Sequence, residues 1–143
     1  MNRRRQKKLT RELVGASMFG RTARVRALLG AGAHPQAADS EGTTPLYAAS
    51  VHGAAGTVRL LLAAGADPNT ESGHGTEGTP LCAAACWGHT DTVRELLAHG
   101  ADPHLREDQG TGHTPLEWAL AGPHPETAEA LRAAGARPTP EAV

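Results

Sequence analysis

The apolar positions of this chain fall into short clusters that return at a fixed distance. TTPLYAASVHG at 43–53, GTPLCAAACWG at 78–88 and HTPLEWALAGP at 113–123 align without gaps, each Thr-Pro-Leu lying 35 residues from the next. In the same frame follow VRLLLAAGADPN at 58–69, VRELLAHGADPH at 93–104 and AEALRAAGARPT at 128–139. An earlier copy, VRALLGAGAHPQ, occupies 25–36, and the degenerate ELVGASMFG at 12–20 fills the slot in front of it. Recurrence at such a period is the signature of a repeat architecture. It divides the chain into four units, at about 10–38, 39–70, 71–105 and 106–140.

Local chemistry builds each unit. Thr44, Thr79 and Thr114 suit the N-cap, where a hydroxyl accepts an orphan amide hydrogen bond, and Pro45, Pro80 and Pro115 suit the first helical position, where a missing N–H costs nothing. The helix so started runs about two turns to Gly53, Gly88 or the Gly122-Pro123 pair. A second helix follows, with apolar positions such as Val58, Leu61 and Leu62 or Val93, Leu96 and Leu97. Gly32, Gly65, Gly100 and Gly135 end it, in the left-handed conformation that glycine adopts without strain. Small residues on the first helices (Ala48, Ala49, Ala83, Ala84, Ala119) allow neighbouring helices to approach closely.

These elements resemble the ankyrin repeat: a Thr-Pro-Leu-His opening, paired alanines, Gly-His between the helices, and Gly-Ala-Asp-x-Asn leading into a finger. The resemblance covers about nine tenths of the chain. It implies an all-α repeat solenoid, an ankyrin-type stack of helix-turn-helix units with β-turn or hairpin fingers, which binds protein through the fingers and the concave helix face. Three departures stand out. Tyr47, Cys82 and Glu117 replace the His of the opening, so the hydrogen bonds between neighbours are expected to be weaker there. Gly-His is intact only at Gly88-His89. The first unit lacks Thr-Pro-Leu and the last has Arg137-Pro138 in place of Asp-Pro; both read as polar caps, and the expectation is a complete short solenoid.

Composition fits a thin core. Of 143 residues 39% are apolar, but there is one Phe, one Tyr, two Trp and no Ile, which disfavours large sheets and deep enzyme pockets. Net charge is −1, yet residues 1–26 hold nine Lys and Arg against Glu12, so the remaining residues sum to −9. Residues 1–9 read as a basic, disordered arm. Through Arg3, Arg4, Arg5, Lys7 and Lys8 it offers an alternative function, association with nucleic acid or an acidic surface, although no aromatic residue interleaves the charges to stack on bases. Cys82 and Cys86 give no disulfide framework, and with no apolar run long enough to span a bilayer the expected setting is cytoplasmic, as a monomer.

Candidate chemistry is sparse. Gly73-His74-Gly75-Thr76-Glu77-Gly78 spells G-x-G-x-x-G, but no apolar strand precedes it, and it reads as a lengthened finger. Cys82, Cys86 and His89 lack the spacing of a metal site, and no nucleophile occurs in a recognisable catalytic context. The expectation is therefore no enzyme, no metal and no cofactor. Glu107 and Asp108 read as a solvated finger, and Trp118 as core. Binding candidates are the residue pairs before each inter-helix turn, Met18-Phe19, Val51-His52, Cys86-Trp87 and Ala121-Gly122, with Trp87 foremost. A polar rim of finger residues joins them: Ser40, Glu41, Thr43, His74, Thr76, Glu77, Gln109, Thr111 and His113, with His99 beside the second helix of the third unit.

Overall fold

The computed structural model describes residues 2–138. Among these residues nine α-helical segments follow one another: α1 (Arg3–Met18), α2 (Thr22–Gly30), α3 (Pro45–Val51), α4 (Ala55–Ala63), α5 (Pro80–Cys86), α6 (Thr90–Ala98), α7 (Glu107–Gly110), α8 (Pro115–Ala121) and α9 (Pro125–Ala133). α7 is a single turn at a finger tip, with Asp108 and Gln109 at positive φ. The others pair as α1–α2, α3–α4, α5–α6 and α8–α9, and the pairs stack so that α1, α3, α5 and α8 lie side by side in one layer and α2, α4, α6 and α9 in a second. The fingers form no strand among the described residues; one isolated antiparallel bridge, Ser72 to Gly78, closes the second finger. Thr139 and Pro140, with which the sequence reading closes the last unit, lie outside the described residues.

The predicted caps are in place. Thr44, Thr79 and Thr114 accept hydrogen bonds from the backbone N–H of Tyr47, Cys82 and Glu117 at 3.2, 3.1 and 3.1 Å. Glu117 reciprocates onto the Thr114 N–H at 2.9 Å, completing a capping box. At the other end of each unit a glycine at positive φ turns the chain, and the N–H of Ala66, Ala101 and Ala136 reaches back to the carbonyl of Leu61, Leu96 and Leu131 at 3.0 Å, a Schellman closure.

The basic leader differs from expectation. Residues 3–9 are the first turns of α1 and not a disordered arm. Asn2 caps them through the Arg5 N–H at 2.8 Å, and Arg, Lys, Gln and Leu are good helix formers. The helix is held down by Leu9, Leu13 and Val14, all buried, and by the Gln6 amide on the Gly32 carbonyl at 3.3 Å.

Equivalent residues form columns along the stack. Leu46, Leu81 and Leu116 make one, Leu28, Leu61, Leu96 and Leu131 a second, Val25, Val58 and Val93 a third, all buried. Ala49, Ala84 and Ala119 are buried between first helices, where a larger side chain would force the layer apart. Polar ladders tie the same neighbours. Gln36 accepts from the Asp67 N–H at 2.8 Å, Asn69 bridges Gly100 O and Asp102 N at 3.2 and 2.7 Å, and His104 bonds Gly135 O at 3.0 Å. His89 bonds the Val51 carbonyl at 3.0 Å, and His124 makes the same bond to Cys86 O at 3.1 Å although Pro123 replaces the preceding glycine.

The expected weakening at the opening position is not what the structure shows. The Tyr47 hydroxyl donates to Glu77 O at 3.0 Å and the Cys82 thiol to His113 O at 3.5 Å, so two of the three replacements still reach the next finger. Glu117 instead turns inward to its own cap and accepts from Arg106 at 3.0 Å.

Leu96 is fully buried and Leu120 is 52% exposed. Leu96→Ala should cost about 2–5 kcal/mol and Leu120→Ala under ~0.5 kcal/mol; urea unfolding followed by circular dichroism checks both, and equal effects would contradict the columnar core.

Candidate protein-binding face

Phe19, His52 and Trp87 are the C-caps of α1, α3 and α5, with φ of −94°, −96° and −95°. Three successive first helices thus end in the same backbone conformation and present these side chains in one row. All three are exposed, Phe19 at 71% and Trp87 at 64%, while Met18, Val51 and Cys86 just before them are half-buried. The row stops at α8, where Gly122 is extended and carries no side chain. At its first end the Arg21 guanidinium lies 5.9 Å from the centre of the Phe19 ring.

Beside Trp87 the first-helix layer is indented. Ala83 and Cys86 of α5 form the floor of a cleft of about 140 Å³, because α5 carries an alanine where α8 carries Trp118. Tyr47 of α3 and Trp118 of α8 form its sides, and the fingers supply Glu77 and Glu107. Trp118 is half-buried: it packs against the core and also faces this cleft, so its reading as core holds for part of the ring only. Its indole N–H donates to Glu107 Oε1 at 2.7 Å, and the His113 ring meets it edge-on at 4.9 Å between centroids.

The carboxylates are held by neutral donors. Glu77 accepts from the hydroxyls of Thr43 at 2.9 Å and Ser72 at 2.8 Å. Glu107 is half-buried; Asp108 alone of that pair is a solvated finger residue. Burial pushes the Glu107 carboxyl above the usual carboxylate range against the opposing Trp118 hydrogen bond, and the Asp108 and Glu71 charges add to the rise. Nearby, Glu71 accepts the Gln109 N–H at 2.7 Å through one oxygen while its other oxygen is buried without a hydrogen-bond partner.

The rim residues divide. Ser40, Glu41, His74, Thr76, Glu77, Gln109, Thr111 and His113 are exposed on the fingers. Thr43 is not; it is only 8% accessible because its hydroxyl is spent on Glu77. His99 is exposed at the end of α6, its Nδ1 against the Glu95 carbonyl, and so belongs to the second-helix layer, apart from the Trp87 row. Sequence reasoning missed Tyr47 and Glu107 as site residues. The signal available was the 11-residue separation of Glu107 and Trp118 within one unit, which spans a finger and the start of the next helix.

Other candidate chemistry is absorbed by the fold. Gly73–Gly75 is one 3₁₀ turn with His74 at positive φ, and the Glu77 carboxylate lies inside the loop on Ser72, so the glycine-rich segment is a finger turn. Among the described residues no group of three or more His, Cys, Asp or Glu side chains could hold a metal ion, and no helix is long and apolar enough to cross a membrane.

A two-layered stack of helix pairs joined by projecting fingers defines a helical repeat protein. A family model described as Ankyrin repeats (3 copies) matches residues 13–72 and 70–142, and the chain belongs to the ankyrin repeat family. Ankyrin repeats are generally protein–protein interaction modules, and the family is typically non-catalytic. No curated protein compared with the chain matches it.

The two thiols face different surroundings. Burial pushes Cys82 up to about 12, although Thr79 opposes the shift, whereas Cys86 is half-buried and borders the cleft. A thiolate-selective disulfide reagent at pH 8 should modify one thiol per folded chain, and Cys86→Ser should abolish that reaction; rapid modification of two thiols without denaturant would refute the burial of Cys82.

Proposed function

We propose that this protein is a non-catalytic binding module, without cofactor, that takes up a partner protein on the first-helix layer between the Phe19–His52–Trp87 row and the fingers. The observation that carries this reading is the exposure of Phe19 and Trp87 at equivalent positions in a chain with only four aromatic residues of the Phe, Tyr and Trp type. A large ring held out from a rigid scaffold buries much area on binding at little entropy cost. Met18, Val51 and Cys86 border the row, and the exposed finger residues, among them Ser40, Glu41, His74, Thr76, Gln109 and Thr111, form its polar margin. We place the protein in the cytoplasm as a monomer.

A second reading is favoured by α1. Arg3, Lys7 and Arg11 recur every four residues along one helical face and, with His34 and the first finger, line a cleft of about 620 Å³; Arg4, Arg5 and Lys8 are exposed beside it. Such a face attracts polyanions and loses them as salt rises.

Partner captured from cell extract and identified by mass spectrometry supplies the ligand for the test. Trp87→Ala should weaken its affinity by about tenfold or more, and replacing residues 74–77 by Gly and Ser should weaken it further; unchanged affinity in both variants rejects this face. Arg3→Glu combined with Lys7→Glu should leave that affinity unchanged while abolishing salt-sensitive retention on heparin; if the partner is lost instead, the basic face is the docking surface.

A further inference from the structure

The cleft beside Trp87 has a chemistry more specific than an apolar interface. Three aromatic rings border it, Tyr47, Trp87 and Trp118, and Glu77 and Glu107 line its finger side, the Glu77 carboxylate being turned into its own loop on Ser72. Aromatic faces and carboxylates together favour one kind of occupant, a cation. Around Glu107, Asp108 and Glu71 are negative, His113 lies against the edge of Trp118, and the neighbouring Arg106 guanidinium is engaged by the Gly112 carbonyl and Glu117. The hydrogen bonds that hold Glu77 and Glu107 come from two hydroxyls and an indole, none of which neutralises them.

Alternatives fit less well. An apolar side chain would cover the carboxylates without pairing them, at a desolvation cost. An anionic one would be repelled by them. At about 140 Å³ the cleft is below the ~300–1,000 Å³ of small-molecule and cofactor sites and suits a single side-chain head group.

We infer that the cleft receives an arginine side chain from an extended segment of the partner protein, its guanidinium stacked against the indoles of Trp87 and Trp118 and paired with Glu107. Arginine fits better than lysine because its planar, weakly hydrated fork both stacks on rings and pairs with a carboxylate. The molecule already holds one contact of this kind, Arg21 over Phe19 in the same row. This inference rests on the proposed docking face, and its test is separable from the test of that face.

The probes are two acetylated and amidated nine-residue Gly-Ser peptides, one with a central arginine and one with central citrulline, a neutral group of the same shape. Each is titrated into the full chain while the two indole N–H resonances are followed by NMR. The arginine peptide should shift both resonances and bind at least about tenfold more tightly than the citrulline peptide. Glu107→Gln, which keeps an acceptor for the Trp118 N–H, should remove most of that difference. Equal binding of the two peptides, or discrimination that survives Glu107→Gln, overturns the cation assignment while leaving the docking face to stand on the Trp87→Ala result. No shift of either indole with the arginine peptide overturns it as well. Concentration-dependent self-association in sedimentation that disappears with Arg3→Glu, Lys7→Glu would assign the cleft to a second copy's α1 and likewise overturn the inference.

Discussion

No unit of this protein has a core of its own. A pair of helices of seven and nine residues buries too little apolar surface to offset the entropy of ordering it, and each pair is completed by the columns of leucine, valine and alanine it shares with its neighbours. The remaining features follow from that dependence. Alanine at the contacts of the first helices lets the layer close up, and α3, α5 and α8 are each capped by a threonine because a two-turn helix has little hydrogen bonding to spare. The side chains that bond between units sit at equivalent positions, so the pattern that buries Leu61 against its neighbours also carries Asn69 to Gly100 and His89 to Val51.

The same regularity explains how the face is made. A row of side chains at one position of successive units is presented in register because the backbone beneath it repeats, as the nearly identical φ values of Phe19, His52 and Trp87 show. Function is then a matter of which residue occupies which unit. The cleft exists because one position is Ala83 in the third unit and Trp118 in the fourth.

Most of the fold was legible in the sequence because the signals were local and repeated: threonine caps, prolines at the first helical position and glycine C-caps each act within one turn, and their recurrence fixes the frame. What was not legible depends on side chains meeting across units. Tyr47 and Cys82 departed from the family pattern and read as losses, but each finds a carbonyl on the next finger that no local rule supplies. Thr43 read as an exposed finger residue, yet Glu77, thirty-four positions on, claims its hydroxyl. Glu107 and Asp108 look alike in sequence and are separated only by which of them Trp118 reaches. The basic leader read as disordered on charge alone, when the leucines behind it and the Asn2 cap decide its state.

Both tryptophans belong to the third and fourth units, and both border one cleft. Intrinsic fluorescence of this protein is therefore a local gauge of its C-terminal half. Fraying of α1 and α2 would diminish the helical circular-dichroism signal with no change in emission. Mismatched melting curves from the two methods would then mark how far unfolding had travelled along the stack, giving the sequence of unit losses a direction that a symmetric array would conceal.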